Sequence, residues 1–282
     1  MLLSKRNARV IADIFTYILL LGGVCILMVP IAWLLSTALK DNQQIFRWPP
    51  SLLPNPVRWE NFVNAMTYSG MPFGRFFLNT IFVTSLSAIG TLFSSFIVAY
   101  AFSRLRWKGR NTLFFIVVLT MVIPTEVIIV PRFMIYKTMR WLDTYLPLIV
   151  PSFFSSAYPV FLLRQYMLSI PREMDEAAMI DGAGRWKTLW RIIFPQSLPA
   201  VMAVLIFTVQ GSWNDLLEPL IYLSSMDKFT VSLGLSFFNG QYSTQWGLLM
   251  AASIVAVSPI LLLFILAQKY FIQGIVISGV KG

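Results

Sequence analysis

At 282 residues, with 57% hydrophobic side chains and a mean hydropathy of +0.71, the chain is too apolar for a soluble domain, where apolar usage runs at about 45–50%. It has no histidine and a single cysteine, Cys25, which excludes histidine-based metal sites, Ser-His nucleophile pairs, histidine proton relays and any intrachain disulfide. The formal net charge of +10, from 22 basic and 12 acidic residues, belongs in such a chain to membrane topology and not to nucleic acid.

A basic start at Lys5, Arg6 and Arg9 leads into an apolar run, residues 11–39, without a small-residue cleavage signature, so an uncleaved first span is expected with Cys25 as a buried thiol. Residues 40–75 are rich in Pro, Asn and Trp and read as a loop with a short helix near 59–66. The second span is expected over 76–102, closed by Arg104, Arg106, Lys108 and Arg110; the third, 112–130, holds Pro124 and Glu126. The fourth, 145–167, is interrupted by Pro147, Pro151 and Pro159; a fifth follows over 198–222 and a sixth over 248–271, leaving a tail at 272–282. Each span has roughly the 20 residues that a bilayer core demands. The fold class expected is therefore an all-α polytopic membrane protein, one transmembrane domain over 1–282 with six helices. Fourteen Lys and Arg fall on the side of the two termini and the loop 170–195, against eight on the other, which places those parts in the cytoplasm. Arg132, Lys137 and Arg140 run against that bias. No internal repeat of the inverted-transporter kind is visible.

The loop 170–195 is polar and helical in pattern. Pro171 suits a first helical turn, and Glu173, Asp175 and Glu176 place negative charge at the positive end of its dipole. Gly182 and Gly184 let the chain bend, after which Trp186, Leu189, Trp190 and Ile193 recur at helical spacing. Two short helices joined at an elbow are expected. They could lie in the headgroups as an interfacial unit, but Ala177 and Ala178 are small enough to let another protein approach the backbone.

At membrane depth, Trp213, Asn214, Asp215 and Glu218 combine an aromatic face with hydrogen-bonding groups, which is what a sugar needs on its C–H and hydroxyl sides. The competing reading is structural, with Asn214 and Asp215 bonding backbone where Pro219 interrupts the helix. Glu126, Ser155 and Tyr158 are further candidates for a pathway wall, or for ordinary helix packing. No phosphate-binding G-x4-G-K-[ST] loop occurs, so ATP hydrolysis by this chain is not expected, nor is a catalytic or metal-binding residue.

The order Glu176-Ala177-Ala178, then Gly182, then Ile192 and Pro195 resembles the E-A-A-x3-G-x9-I-x-L-P loop of ABC importer permeases, with Phe194 at the Leu position. In that family the loop docks into an ATPase cleft and carries movement into the membrane. The resemblance implies coupling roles for Glu173, Glu176, Ala177, Ala178, Asp181, Gly182, Ala183 and Trp186. The Trp213–Leu220 segment is similar to W-N-[DE]-x-L-x-P-L of maltose-type sugar permeases. The ending Gly279-Val280-Lys281-Gly282 is similar to the C-terminus of the shorter permease of such importers, which implies that Gly279, Val280 and Lys281 touch the ATPase pair. The likeness further implies a second permease, two ATP-binding cassette subunits holding ATP and Mg, and an extracytoplasmic solute-binding protein, in a bacterial or archaeal plasma membrane. A sugar or oligosaccharide is the expected solute, with glycerol phosphate as an alternative. Of other classes, a secondary transporter would use Glu126, Asp215 and Glu218 for ion coupling, and a membrane scaffold would have no protected polar cavity.

Overall fold

The computed structural model describes residues 5–67, 71–237 and 245–279; among these, regular structure is helical and no strand occurs. Four helices are long and apolar enough to cross a membrane: Arg9–Ala38, Phe73–Arg104, Leu146–Ser169 and Trp246–Gln268. Two bent pairs pass the same test together, Arg110–Val122 with Thr125–Thr138 at 98° and Arg185–Gln196 with Leu198–Asn214 at 78°. The described residues fall into two compact units, one within Met1–Tyr68 and Phe237–Val255, the other within Ser69–Ser236 and Ala256–Gly282.

In the first unit, the Lys5–Ala38 helix carries its apolar side chains exposed, as a surface meant for lipid does. Cys25 shares that exposure, so the buried thiol expected from its apolar surroundings is not found: apolarity here marks the lipid face and not a core. Beyond the helix the chain is tied by side chains. Asn61 donates to the carbonyls of Ala38 and Lys40, each at 2.8 Å, and the buried Lys40 ammonium donates to the Ser51 carbonyl while lying 5.3 Å from the Trp33 ring centre. Gly247 opens the last long helix against this knot; a Cβ there would stand 2.6 Å from the Lys40 carbonyl oxygen.

The second unit is built on the Phe73–Arg104 helix, which buries a stripe of hydroxyl residues, Thr80, Thr84, Ser87, Thr91 and Ser95, at helical spacing. Small polar residues let helices approach closely in a membrane and supply donors where a neighbour's backbone is broken. The neighbour here is the proline-interrupted fourth span, which runs as Leu146–Ile149, a 3-10 stretch Val150–Phe154 and then Ala157–Ser169. Ser87 donates to the Leu148 carbonyl at 3.0 Å and Ser94 to the Ser152 carbonyl at 3.1 Å. Freed carbonyls are thus satisfied from the side, the condition under which irregular backbone survives at membrane depth. Gly90 permits the approach, since a Cβ would lie 2.5 Å from Ser152 Oγ and 2.6 Å from the Phe153 ring.

The third span departs from the straight helix expected over 112–130. Pro124 has no N–H to continue the ladder and holds Ile123 extended at ψ 116°, so the chain turns there by 98°. The fifth ends earlier than expected. Leu198–Asn214 stops at Asp215, whose extended backbone precedes a new short helix, Leu217–Tyr222; Pro219 then occupies a first-turn position that needs no N–H donor. The last helix continues to Gly279, so residues 272–279 of the expected tail are helical.

Candidate functional site: the elbow and a polar cavity

The elbow forms as two helical pieces. Glu173–Ile180 begins with its three acids in the first turn and ends in a turn whose geometry needs glycine: Gly182 sits at φ +73°, its N–H bonds Met179 O at 3.0 Å, and Ala183 N–H bonds Ala178 O at 2.8 Å. Gly184, at φ −70°, is not used this way. The second piece, Arg185–Gln196, contains one π-helical turn, Leu189–Ile193. An extra residue in a turn rotates the rest of the helix by roughly 100°. The predicted stripe accordingly splits. Leu189 and Ile193 are buried, Trp190 stacks on Phe93 and Phe96, and Trp186 stands free at 64% exposure.

The root of the elbow is polar and largely buried, beside a partly open cavity of about 400 Å³ that Tyr100, Arg104 and Asp175 help to line. Arg104, at the end of the Phe73–Arg104 helix, reaches the Asp175 carboxylate at 2.8 Å and donates to the carbonyls of Met167 at 2.6 Å and Ile170 at 2.9 Å, the orphan acceptors at the end of the fourth span. Its side chain is 4% exposed and that of Asp175 12%. Burial pushes the Asp175 carboxyl above its ordinary value, and the Arg104 guanidinium works against that shift. Tyr100 adds a hydroxyl donated to the Arg185 carbonyl at 3.4 Å. One arginine therefore fastens the second span, the fourth span and the elbow together, a role that no pattern along the sequence reveals.

The tip is the opposite in character. Glu173, Glu176, Ala177, Asp181, Gly182 and Trp186 are exposed, and Ala183 is half-buried. Met179 and Ile180, absent from the predicted set, add two large exposed apolar side chains to the tip, Ile180 at 87%. Ala178 differs from its neighbour: it is buried, so its small size serves packing within this chain and not approach by another protein.

The pathway candidates separate likewise. Trp213 is buried, its indole N–H donates to the Ala256 carbonyl at 2.9 Å, and its ring meets Phe77 edge-on, so the face expected to receive a sugar is already used. Asn214 is exposed and bonds the Gln210 carbonyl at 3.0 Å; Asp215 accepts from the Glu218 N–H at 3.2 Å. Both amide and carboxylate thus serve the helix break. Asp215 and Glu218 also line a cavity of about 250 Å³ with the hydroxyl residues Ser87, Thr91, Thr208, Ser212 and Thr230. Thr230 is 3% exposed and its hydroxyl has no hydrogen-bond partner. Glu218 pairs with Arg132 at 2.7 Å, joining the Thr125–Thr138 and Leu217–Tyr222 helices. Glu126, Ser155 and Tyr158 do not line this cavity: Glu126 is exposed, Tyr158 lies edge-on to Phe207, and Ser155 marks the break in the fourth span at φ +60°, ψ 158°, a conformation that costs a non-glycine residue on the order of 1–3 kcal/mol. Gly279 closes the last helix, while Val280 and Lys281 lie outside the described residues.

Four apolar helices of spanning length, two bent apolar pairs and an anchored elbow with an exposed tip define a multi-pass, all-α membrane transport component. The chain belongs to the family described as binding-protein-dependent transport system inner membrane component, which it matches over residues 90–277. It is 33% identical over 255 residues to the arabinooligosaccharides transport system permease protein AraQ of Bacillus subtilis, covering 90% of each chain. It is 32% identical to the sn-glycerol-3-phosphate transport system permease protein UgpE of Yersinia pestis, covering 94% of this chain and 96% of that one. The probable ABC transporter permease protein YurM of Bacillus subtilis is 31% identical over 99% of this chain and 92% of its own. In fold the chain is similar to a bacterial ABC transporter involved in import of the acidic polysaccharide alginate, with a TM-score of 0.81 at 21% identity over 96% of this chain and all of that one.

Proposed function

We propose that this chain is the shorter of two permease subunits in an ATP-driven, binding-protein-dependent importer for a sugar or oligosaccharide. The observation that carries the proposal is the contrast within the elbow, whose exposed apolar tip is held on a largely buried ionic root. Such a part transmits force between a separate motor and the spans to which Arg104 fastens it. In this reading two ATP-binding cassette subunits, which hold ATP and Mg, grip Glu173, Glu176, Ala177, Met179, Ile180, Asp181, Gly182, Ala183 and Trp186 from the cytoplasm. The tail residues Gly279, Val280 and Lys281 meet the same subunits, and both termini are cytoplasmic. ATP hydrolysis belongs to those subunits; here the protein moves helices and catalyses no reaction. A second permease faces the cavity beside Asp215 and Glu218, and an extracytoplasmic binding protein delivers the solute.

A neutral polyol fits that cavity better than an anion does. Its lining carries two carboxylates, five hydroxyl residues and no cation, and the nearby Arg132 is already paired with Glu218. A phosphate would meet like charge, whereas sugar hydroxyls can donate to carboxylates and satisfy the buried Thr230 hydroxyl. Glycerol phosphate is the second reading because of the 32% identical relative named for it.

The test is Ile180→Asp in the assembled importer. Ile180 is 87% exposed, so the fold should be untouched, while co-purification of the ATPase subunits and solute uptake should both fall at least about ten-fold. Uptake at the unmodified rate would remove the coupling role from the tip. Competition of labelled arabinose oligomers against glycerol phosphate for uptake then decides the solute class.

A further inference from the structure

The Phe73–Arg104 helix, long and apolar enough to span, and Arg110–Val122, the first part of the bent pair that passes the same test together with Thr125–Thr138, meet across the short turn 105–109, which puts that turn at the end of an apolar span, where a membrane boundary falls. Around it lies an open cavity of about 370 Å³, lined among others by Arg106, Trp107, Arg110, Asn111, Thr112 and, from the start of the elbow, Arg172. It has three guanidiniums and no carboxylate. The Arg106 and Arg172 side chains have no hydrogen-bond or ion-pair partner among the described residues; Arg110 donates to the Leu105 carbonyl at 3.0 Å and to Asn111 Oδ1 at 3.3 Å. Arg106 and Arg172 also border the neighbouring cavity that holds Asp175 and Glu176, and Arg172 favours the charged Asp175 carboxylate; on the side of the turn no carboxylate lines the space, so its three cations leave net positive charge that favours an anion. Gly109, at φ +83°, opens the Arg110–Leu119 helix without any side chain capping it, so first-turn N–H groups add donors at the same place. Trp107 is 40% exposed, with its ring against Phe102, the amphipathic placement of an interfacial tryptophan.

We propose that this cavity binds the phosphate of an anionic lipid headgroup. Forked guanidiniums from two separate stretches of chain match phosphate oxygens, and the membrane boundary supplies the ligand at high local concentration. Because Arg172 is the residue from which the Glu173–Ile180 helix starts, the bound lipid tethers the elbow's root to the bilayer. The site does not depend on which solute is carried. It is also distinct from a topological role, which asks only for positive charge and is served equally by lysine.

The full chain in zwitterionic micelles, titrated with phosphatidylglycerol and separately with phosphatidylcholine under native mass spectrometry, provides the test. Phosphatidylglycerol should be retained in preference. Arg106→Gln with Arg172→Gln should weaken it about ten- to thirty-fold, from about 1 kcal/mol for each basic residue at the membrane surface. Arg106→Lys with Arg172→Lys keeps the charge and the topology but loses the forked geometry, and should weaken it about three-fold or more. Lys187→Gln with Arg191→Gln, on the elbow's second piece, should leave binding as it was. Unchanged affinity in either Arg106/Arg172 pair, or an equal loss in the Lys187/Arg191 pair, would overturn the site. Displacement of the lipid by millimolar inorganic phosphate would overturn the lipid assignment in favour of a free-phosphate site.

Discussion

The Phe73–Arg104 helix is fastened at both ends by charge, and the two fastenings are made differently. At its C-terminal end Arg104 is buried, its side chain 4% exposed, and serves Asp175 together with two backbone carbonyls. Roughly 43 Å away by helical rise, Arg75 meets Asp227 at 3.3 Å with side chains 59% and 49% exposed, and Asn79 bonds the carbonyls of Asp227 and Phe229. Beside that N-terminal end, Asp143 gathers the Ser224 and Ser225 N–H groups, the Ser225 hydroxyl and the Lys228 ammonium, at intermediate exposure. Water decides what each contact contributes. Where it is excluded, losing one partner strands a charge; where it is present, solvent takes the partner's place. The stiffer fastening is the one at the elbow, which is what the proposed lever requires.

The largest effect is therefore expected at Arg104. Arg104→Gln leaves the Asp175 carboxylate and two carbonyls without their donor and should destabilise the protein by about 3–5 kcal/mol in detergent unfolding. Asp175→Asn should cost less, because Arg104 keeps its two carbonyls and gains a neutral acceptor. The double variant should cost less than the sum, since it strands no carboxylate. If Arg104→Gln costs no more than an exposed substitution, burial is not what distinguishes the two ends.

An intermediate effect is expected at Asp143. It sits at φ +57°, which Asn tolerates, so Asp143→Asn changes the charge without straining the turn. The Ser225 and Lys228 hydrogen bonds hold the Asp143 carboxyl well below the usual carboxylate range. A depressed folded value means that this stabilisation is complete above the unfolded value of about 3.9 and is lost as pH falls through the folded one. The gap in melting temperature between wild type and Asp143→Asn should correspond to about 1.5–3 kcal/mol at pH 7, hold at pH 5 and narrow only below about pH 4. A gap that widens with acid would reverse the assigned cause.

Which of these features the residues announce depends on whether a local rule governs them. The elbow's bend is written in Gly182, since its left-handed conformation is one that few residues adopt, and the broken fourth span is written in its prolines. The Arg104–Asp175 pair joins residues 71 apart in the chain, and no local pattern names the partner. Trp213 and Cys25 mislead for one shared reason. In helices apolar all round, the period that distinguishes an inner face from an outward one disappears, so a buried tryptophan reads as a binding platform and an exposed thiol as core. Ala178 misleads through the same ambiguity at smaller scale: Ala177 and Ala178 are identical in kind, and only the packing of the helix root tells which faces inward.

The smallest effect, and the sharpest check on the comparison, belongs to Arg75. Its pair with Asp227 joins two exposed side chains, so Arg75→Gln should cost about 0.2–1 kcal/mol at low salt and nothing measurable near 1 M, where screening extends only about 3 Å. The Arg104→Gln penalty should change less over the same range, because a pair whose side chains are 4% and 12% exposed is screened less than an exposed one. Asn79 provides the internal control at the N-terminal end, since its bonds to the Asp227 and Phe229 carbonyls are neutral and should not respond to salt. Unfolding of wild type, Arg75→Gln and Arg104→Gln at both salt concentrations thus separates two causes that a single melting temperature confounds. If the Arg75 penalty persists at high salt, exposure is not what sets the Arg75 end apart from the elbow, and the proposed lever has two fixed ends instead of one.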